Sequence, residues 1–380
     1  MALYLDLNAT QSVPVANLNR DDLGSPKTVR YGNADRIRVS SQSWKRAIRH
    51  AIESDLGEKA VRTRLIPTKV RQTLEQKEGW PADLAKFAGR QVITCLAKKG
   101  ITLDQNGRTS VLFFLPEKGL EELIAVCVES RQALENNLGK TKPAAALPPA
   151  KLAAVFKSRT ASISLLGRML ADLPGANVDG AVQVAHAFTT HAAEPQRDYF
   201  TAVDDWLGEA QAGSGHLNTS EFSAGVFYRF ATVNVDDLLR NLDGDRKTAR
   251  SLVACFAEHF LMSLPQAKKN STAPHTIPDL GYLAVRTRRP LSLAAAFETP
   301  VSDIADGFAS ASRAALADYA ASINRLTADR HRAFHGHACV IDNTVDLTPL
   351  GRSYDSFYEL MDAALNAVLP TGEEHQCLVS

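Results

Sequence analysis

The stretch NLNRDDLGSPKTVRYGNADRIRVSSQSWKRAIRH, residues Asn17–His50, contains eight lysines and arginines but only three aspartates. The whole chain of 380 residues has a formal net charge of only +1. Positive charge is therefore concentrated in this stretch. A charge run of this kind is either a solvated basic face or a site for a polyanion.

The stretch changes its hydrophobic period at Ser40. Arg36 and Arg38 alternate with Ile37 and Val39, which is the period of a half-buried strand. The run SSQS at residues 40–43 then offers helix-capping side chains. Beyond it, apolar residues recur at the spacing of one buried helical stripe: Trp44, Ala47, Ile48, Ala51 and Ile52. The pattern predicts a strand that leads into a helix with hydroxyls, an amide and cations in its first turn.

The start of this helix is typical of a phosphate site. A helix N-terminus presents unpaired backbone N–H groups and partial positive charge, and Lys45 and Arg49 lie one turn apart beside it. Arg20, Lys27 and Arg30 precede the helix in a loop that can fold over the same ligand. We interpret the stretch as a grip on several phosphates of a nucleic-acid backbone. A solvated basic face is the alternative.

The residues of this stretch resemble the N-terminal signature of the CasC family, the backbone subunit of type I-E CRISPR Cascade complexes. The resemblance is carried by NLNRDD, PK, RYG and RIRVSSQSWKRAIR. Further runs are similar in order and spacing: GRM (167–169), DGAVQVAHAFTTH (179–191), DYFTAVDD (198–205), HLNTSEFSAGVFYRFA (216–231) and PLSLAAAFE (290–298). The resemblance covers residues 2–50 and about 160–300. Trp44 departs from it where many members carry leucine, and Asp35 where some carry a cation.

The resemblance implies an α+β fold with an RNA-recognition-like (ferredoxin-like, βαββαβ) palm, a helical fingers insertion and a protruding thumb hairpin. The division expected along the chain is palm 1–55, fingers 56–158, palm 159–189, thumb 190–223, and palm with C-terminal helices 224–380. The residue pattern agrees with a split sheet that carries insertions.

The resemblance also implies a non-catalytic role. Several copies would stack head to tail along a CRISPR RNA, and the thumb would displace a regularly spaced nucleotide. The rest of the guide would pair with target DNA, alongside other Cascade subunits and a recruited nuclease. The expected RNA contacts are Arg20, Lys27, Ser40, Gln42, Lys45, Arg46, Arg49, Arg168 and Met169, with Phe200 and Leu217 at the displaced nucleotide. From the residues alone, Met169 fits core filling as well as a wedge between bases.

Beyond the basic stretch, alternation predicts a first strand at Leu3–Leu7 with one face inward, a strand around Ile163–Leu165 and a core strand over 224–235. Helices are predicted over much of 56–155, with a strand-like interruption at 110–115, and at 246–264, 310–326 and 353–369. A strand is predicted at 282–288. The polar, glycine-rich segment 190–222 is typical of a long hairpin. The Pro/Ala-rich segment 139–151 predicts a surface loop whose lysines are solvated or touch a second strand.

Composition narrows the class of protein. No run of about 18 apolar residues occurs, so we expect no membrane span, and the N-terminus lacks the basic region of a secretory signal. Five widely spaced cysteines without a C-x-x-C pair indicate incidental thiols in a reducing cytoplasm. No cofactor motif is present, and we expect no cofactor.

Two enzymatic alternatives to the RNA-binding interpretation follow from single residues and short runs. His331, His335 and His337 could ligate a metal, because the spacing predicts that His331 and His335 share a helix face. Asp35 is the residue that could support a metal-dependent ribonuclease on the same fold, although no second carboxylate lies beside it. We expect neither a metal nor a catalytic residue.

Overall fold

The protein is described by a computed structural model that covers residues 3–96, 101–140, 145–170, 173, 175–202, 216–302, 307–340 and 344–371, with the backbone alone at 201–202 and 216–218. The chain divides into two compact units. The first, here called the sheet unit, comprises residues 1–51, 182–239 and 244–380. The second, the helical unit, comprises residues 52–181 and 240–243. The segment 159–189, expected in the palm, is thus divided between the two units.

The strands are β1 Tyr4–Ala16, β2 Thr28–Tyr31, β3 Ala34–Val39, β4 Ala60–Thr63, β5 Phe113–Pro116, β6 Val182–Val184, β7 Ala187–Thr189, β8 Gln196–Ala202, β9 His216–Asn234, β10 Leu280–Arg286, β11 Arg332–Cys339 and β12 Arg352–Ser353. The helices are α1 Ser41–Asp55, α2 Ile66–Gln76, α3 Ala82–Thr94, α4 Gly119–Glu129, α5 Arg131–Asn137, α6 Pro149–Lys157, α7 Ala161–Leu166, α8 Val235–Asn241, α9 Arg246–Met262, α10 Lys269–Thr272, α11 Ala309–Thr327 and α12 Phe357–Val368. Short 3-10 helices cover Ala294–Phe297 and Thr348–Leu350.

The main sheet runs in the order β12-β11-β10-β1-β9-β7-β3-β2, with β6 and β8 also paired to β9. Its centre, β10-β1-β9-β7, is antiparallel throughout. In chain order these four strands are fourth, first, third and second, with α1 after the first and α9 between the third and fourth. This is the split βαββαβ arrangement. The predicted α+β fold is therefore confirmed.

Strand β1 is the central strand of the sheet and is buried on both faces. Leu5 and Leu7 are fully buried as predicted, but so are Asp6 and Asn8. Asp6 accepts from the Arg286 guanidinium at 2.9 Å, and Asn8 accepts from the Tyr228 hydroxyl at 2.7 Å. The prediction of a strand with only one face inward was wrong, because Asp6 and Asn8 each have a buried hydrogen-bond partner.

Successive residues of β9 point to opposite faces of the sheet. Phe227 packs with Trp44 and Val39 in one cluster. Tyr228 packs with Phe297 and Leu316 in another, beneath α11. The sheet is therefore covered by apolar packing on both sides, and α1 is held against one of them.

The helical unit is built around a large apolar core from α2–α6, with Val70, Leu123 and Phe156 among its buried members. The predicted strand-like interruption is β5, which pairs with β4. The predicted strand at Ile163–Leu165 was wrong: both residues lie in α7, where the Thr160 hydroxyl accepts from Ile163 N. A short apolar run cannot distinguish a buried strand from a buried helical turn, and here an N-cap residue favours the helix.

Strands β8 and β9 form a two-stranded antiparallel ribbon, whose register runs from Gln196 opposite Phe222 to Ala202 opposite His216. The antiparallel hairpin predicted in 190–223 is thus present in the backbone, and its connection 203–215 lies outside the described residues. The predicted later elements also match α9, β10, α11 and α12 within a few residues, and β9 ends one residue before the predicted end of the core strand but begins eight residues earlier, at His216. No helix within the described ranges is both long and apolar enough to cross a bilayer.

Candidate nucleic-acid interface

The loop between β1 and β2 is held by its own side chains. Asn17 is fully buried and donates to the carbonyls of Gly24 and Glu221, both at 2.9 Å. One carboxylate oxygen of Asp21 accepts from Leu23 N and Ser25 N at 2.9 Å. Arg20 lies exposed in a bridge opposite Pro26. Because Asp21 is engaged with the loop backbone, the loop presents Arg20 from a fixed turn.

The β2–β3 hairpin turns at Gly32 and Asn33, both at positive φ. A Cβ on Gly32 would lie 1.4 Å from the carbonyl oxygen of Glu298, so only glycine fits there. Arg36 is fully buried and donates to the carbonyls of Thr189 at 2.9 Å and Phe297 at 3.0 Å. The β2–β3 hairpin therefore contacts the backbone of residues 297 and 298, which lie more than 250 residues later in the chain.

Arg36 does not share a solvent face with Arg38. Burial lowers the pKa of the Arg36 guanidinium, whereas Arg38 is half-buried and reaches His186. The simple alternation predicted for this strand was wrong at Arg36, because carbonyls of distant segments satisfy a charge that the pattern placed in solvent. Asp35, on the same strand, is exposed.

Helix α1 begins beside Ser40, as predicted. The Ser40 hydroxyl accepts from Ser43 N at 3.3 Å, and Asn19 Oδ1 accepts from Ser40 N at 2.8 Å. Ser40 is buried, so its hydroxyl acts first as a helix cap. Gln42 and Arg46 are exposed on the following turn, and Lys45 is half-buried.

His186 is a site residue that the sequence interpretation missed. Its Nδ1 lies 3.2 Å from both Ser41 N and Arg38 Nη1, so it accepts at the first turn of α1. Partial desolvation, then the charges of Arg38 and Lys27, lower the pKa of His186. The charges of Arg38 and Lys27 therefore lie close enough to His186 to disfavour its protonated form. No local signal could reveal it, since 145 residues separate His186 from Ser41.

Lys27 lies beside Arg38 near the start of α1. Its carbonyl accepts from Arg38 N at 2.7 Å, and its own N–H donates to Asn19 O at 2.9 Å. We call Lys27, Arg38, Ser41 and His186 the helix-start cluster. Exposed Arg20 and Arg46 flank it in sequence. Backbone N–H groups and cations of this kind bind phosphate oxygens.

Trp44 fixes the helix that carries this cluster. The indole is buried, and the Arg229 guanidinium lies 3.8 Å from its ring centroid and 4.7 Å from that of Phe260. Arg229 also donates to Gln11 Oε1 at 2.6 Å and to the Phe260 carbonyl. Burial lowers the pKa of Arg229 to about 9. The departure from leucine at Trp44 thus faces the core and supplies a partner for a buried cation.

Arg49 lies on the packed side of α1 and is only 5% exposed. Its guanidinium is 3.4 Å from His50 Nε2. The predicted pairing of Lys45 and Arg49 on one open face therefore does not describe this helix. Of the predicted N-terminal cations, Arg20 and Arg46 are exposed, and Lys27 and Lys45 are half-buried.

Arg168 and Met169 belong to the helical unit, on a loop closed by two backbone bonds of 2.8 Å between Arg168 and Val178. Arg168 is 4% exposed. Its guanidinium donates to the carbonyls of Ala176 (2.8 Å), Ser158 (2.8 Å), Lys157 (3.2 Å) and Phe114 (3.3 Å). Burial, and then the charge of Arg159, lower its pKa to about 10. This geometry argues against Arg168 as a phosphate ligand: the guanidinium clasps the interior of the unit.

Met169 has the opposite environment and is 86% exposed. Core filling, the alternative considered for it, was wrong. A Cβ on Gly167 would meet Gly180 N at 2.7 Å, so a close pairing of two glycine backbones supports the base of the loop. An apolar side chain held outward in this way is available to a base or a protein partner.

On the β8–β9 ribbon, Phe200 is 44% exposed and its neighbour Tyr199 is 68% exposed. Leu217 is paired with Thr201 in the backbone register, and its side chain lies outside the described residues. Adjacent strand residues point to opposite faces, so the ribbon presents one aromatic ring on each face. Tyr199 is a candidate contact that the sequence interpretation did not select.

The histidines considered as metal ligands do not converge. His331 precedes β11, and His335 and His337 lie within it, so the predicted shared helix face was wrong. Burial, and then the charge of Arg332, lower the pKa of His335 to about 4. Within the described ranges these three residues form no ligand cluster, and neither does Asp35.

Comparison with known proteins finds similarity over nearly all of the chain. The model of a family described as "CT1975-like protein" matches residues 5–362. A solved chain from a "CRISPR RNA-guided surveillance complex, pre-nicking" is 47% identical, with a TM-score of 0.90 over 96% of this chain and 100% of that one. A chain from a "CRISPR RNA-guided surveillance complex" is 42% identical, with a TM-score of 0.80 over 96% and 99%. No curated protein matches. The chain therefore belongs to the CT1975-like protein family.

Proposed function

We propose that this protein is a non-catalytic CRISPR RNA-binding backbone subunit of a type I-E Cascade complex. The observation that carries the proposal is the helix-start cluster, where Lys27, Arg38 and the first N–H group of α1, that of Ser41, lie around His186. Similarity over nearly the full chain to subunits of CRISPR RNA-guided surveillance complexes supports it.

The chemistry suits a protein that holds guides of any sequence. Such a protein contacts phosphates and stacking faces, because base edges carry the sequence. The cluster offers cations at a helix N-terminus, and Phe200 and Met169 offer exposed apolar surface. In this proposal several copies follow one guide in the cytoplasm, and the β8–β9 hairpin displaces a regularly spaced nucleotide. The remaining guide pairs with target DNA, together with other Cascade subunits and a recruited nuclease.

The test removes two positive charges from the interface and compares two from elsewhere. Lys27→Ala/Arg46→Ala changes the proposed interface, and Arg246→Ala/Lys247→Ala removes two exposed cations from the start of α9. Each phosphate contact on a single strand contributes about 0.7 to the salt slope. We expect the first variant to lower the slope of log K for guide RNA against log salt by about 1.4. The matched control should leave it unchanged.

Equal slopes for the two variants would contradict this interface. Wild-type protein that carries no RNA after co-expression with a CRISPR transcript would contradict the function itself. The alternative, a metal-dependent ribonuclease using exposed Asp35, predicts RNA cleavage that EDTA and Asp35→Ala abolish. The proposed subunit cleaves no RNA under either condition.

A further inference from the structure

A second cationic site lies in the sheet unit, where β10 ends and the turn before β11 begins. A cavity of about 350 Å³ is lined there by Arg286, Arg288, Arg289 and Arg330, with Leu291, Thr327 and His331 completing the wall. Its volume is in the range of sites that hold small ligands. None of these residues belongs to the helix-start cluster.

The walls of the cavity are fixed from two sides. Asp6, fully buried on β1, accepts from Arg286 Nε and from Leu291 N, both at 2.9 Å. Across the cavity, Thr287 N donates to the His331 carbonyl at 2.9 Å. The turn 328–331 holds Ala328, Asp329 and His331 at positive φ, which non-glycine residues adopt only where the surroundings impose it. The backbone conformation of this turn therefore shapes one wall of the cavity.

Its charge is only partly compensated. Asp6 is paired with Arg286, and Asp329 is paired with Arg332 at 2.6 Å. Arg288, Arg289 and Arg330 are exposed, and in the described part of the chain no carboxylate pairs with them. Three guanidinium groups thus share one concave surface with a histidine and a hydroxyl. Such a surface favours an anion with more than one charge.

The strand register separates this site from the helix-start cluster. Arg286 lies opposite Tyr4 of β1, six residues from Thr10, which shares a row with Tyr228, Phe188 and Arg38. At roughly 3.3 Å per residue and about 4.8 Å per strand, Arg286 and Arg38 lie on the order of 25 Å apart. One phosphate cannot reach both.

We propose that this cavity binds the phosphodiester backbone of a nucleic-acid strand at a second place on the subunit. The planar guanidinium group donates two parallel hydrogen bonds to the non-bridging oxygens of a phosphate. Consecutive phosphates of one strand bring the repeated charge that three arginines require, and Leu291 offers an apolar surface to a sugar or base. The inference rests on the proposed function in that the subunit works on nucleic acid.

The source of the phosphates is either the guide or a DNA strand, and the experiment distinguishes them. Assembled, guide-loaded complexes are prepared with Arg288→Ala/Arg289→Ala, with Arg330→Ala, and with the matched control Arg246→Ala/Lys247→Ala. Retained RNA per subunit is measured. The Kd for complementary single-stranded DNA and for duplex DNA is then measured against salt.

We expect the double variant to lower the salt slope for one strand by about 1.4 and Arg330→Ala to lower it by about 0.7. Loss of retained RNA identifies the guide, and loss confined to DNA binding identifies a DNA strand. Unchanged binding of both by both variants would overturn the proposal. So would normal nucleic-acid binding with failed assembly in sedimentation, which would assign the cavity to an acidic protein surface. Wild-type complex without nucleic acid would instead overturn the proposed function.

Discussion

The helix-start cluster and the Arg168 loop show two fates for cations predicted to hold phosphate. At the helix start, Lys27, which was predicted to contact RNA, and Arg38, which was not, remain half-buried, and partial desolvation followed by their two charges lowers the pKa of His186. In the loop, Arg168 is enclosed and donates to four carbonyls. Arg38 and Arg168 both lie in sequence runs that carry the family resemblance. Only their burial tells which charge is available to a ligand.

The physical reason is the number of unpaired carbonyls nearby. Loop backbones that cannot form a ladder leave carbonyls to be satisfied, and a buried guanidinium with five donors serves several of them at once. Where the backbone is already paired, as in β3 beyond Arg36, the next arginine is left for solvent or ligand. Mutations that separate these roles test the comparison.

The largest effect is expected for Arg168→Ala. The change leaves buried carbonyls without donors, and we expect the free energy of unfolding to fall by about 3 kcal/mol or more. Chemical denaturation of the purified protein measures it. Arg168→Lys should not restore stability, because one ammonium cannot replace the planar fork.

Met169→Ala is the matched control on the same loop. Since Met169 is 86% exposed, the substitution should change the free energy of unfolding of the protein by less than about 0.5 kcal/mol. A stable Arg168→Ala protein that loses RNA would reverse the comparison and return Arg168 to the interface.

A smaller loss is expected for Trp44→Leu. The substitution removes the ring 3.8 Å from the Arg229 guanidinium and leaves a gap in the core. A desolvated cation–π contact contributes roughly 2 kcal/mol, so we expect a loss of at least that size in denaturant unfolding. Gln42→Ala, on the exposed side of the same helix, should change stability little. Equal stability of the two variants would mean that Arg229 does not depend on the indole.

The smallest effect is a pKa change at His186. In the folded protein the pKa of His186 lies below its ordinary value of 6.5. Near and below that pH the unfolded chain therefore binds more protons than the folded protein, and the free energy of unfolding falls as pH drops below about 6.5. Lys27→Ala removes one cause of the depression, and the pKa should move up toward 6.5 in an NMR titration. Bound RNA should raise it in the wild type. Arg246→Ala should leave the titration unchanged, and an unmoved titration in Lys27→Ala would remove Lys27 from the cluster.

Periodicity predicted β3, α1, β9 and α9 because each pattern reports one local packing face. It failed at Asp6 and Arg36, which are charged side chains with buried partners. Their partners are carbonyls or side chains distant in the chain, such as Phe297 for Arg36 and Arg286 for Asp6. A pattern read along the chain cannot include a partner that only the fold brings near. His186 was missed for the same reason.

The sequence by itself determined the α+β class, the position of the basic stretch and the similarity to a subunit of a CRISPR surveillance complex, since local period and motif suffice for these. The tertiary structure alone decided which cations face solvent, that His186 closes the helix start, and that a separate arginine cavity forms beyond β10. Those properties depend on strand register and on distant hydrogen-bond partners, because burial of a charge is set by its surroundings in space.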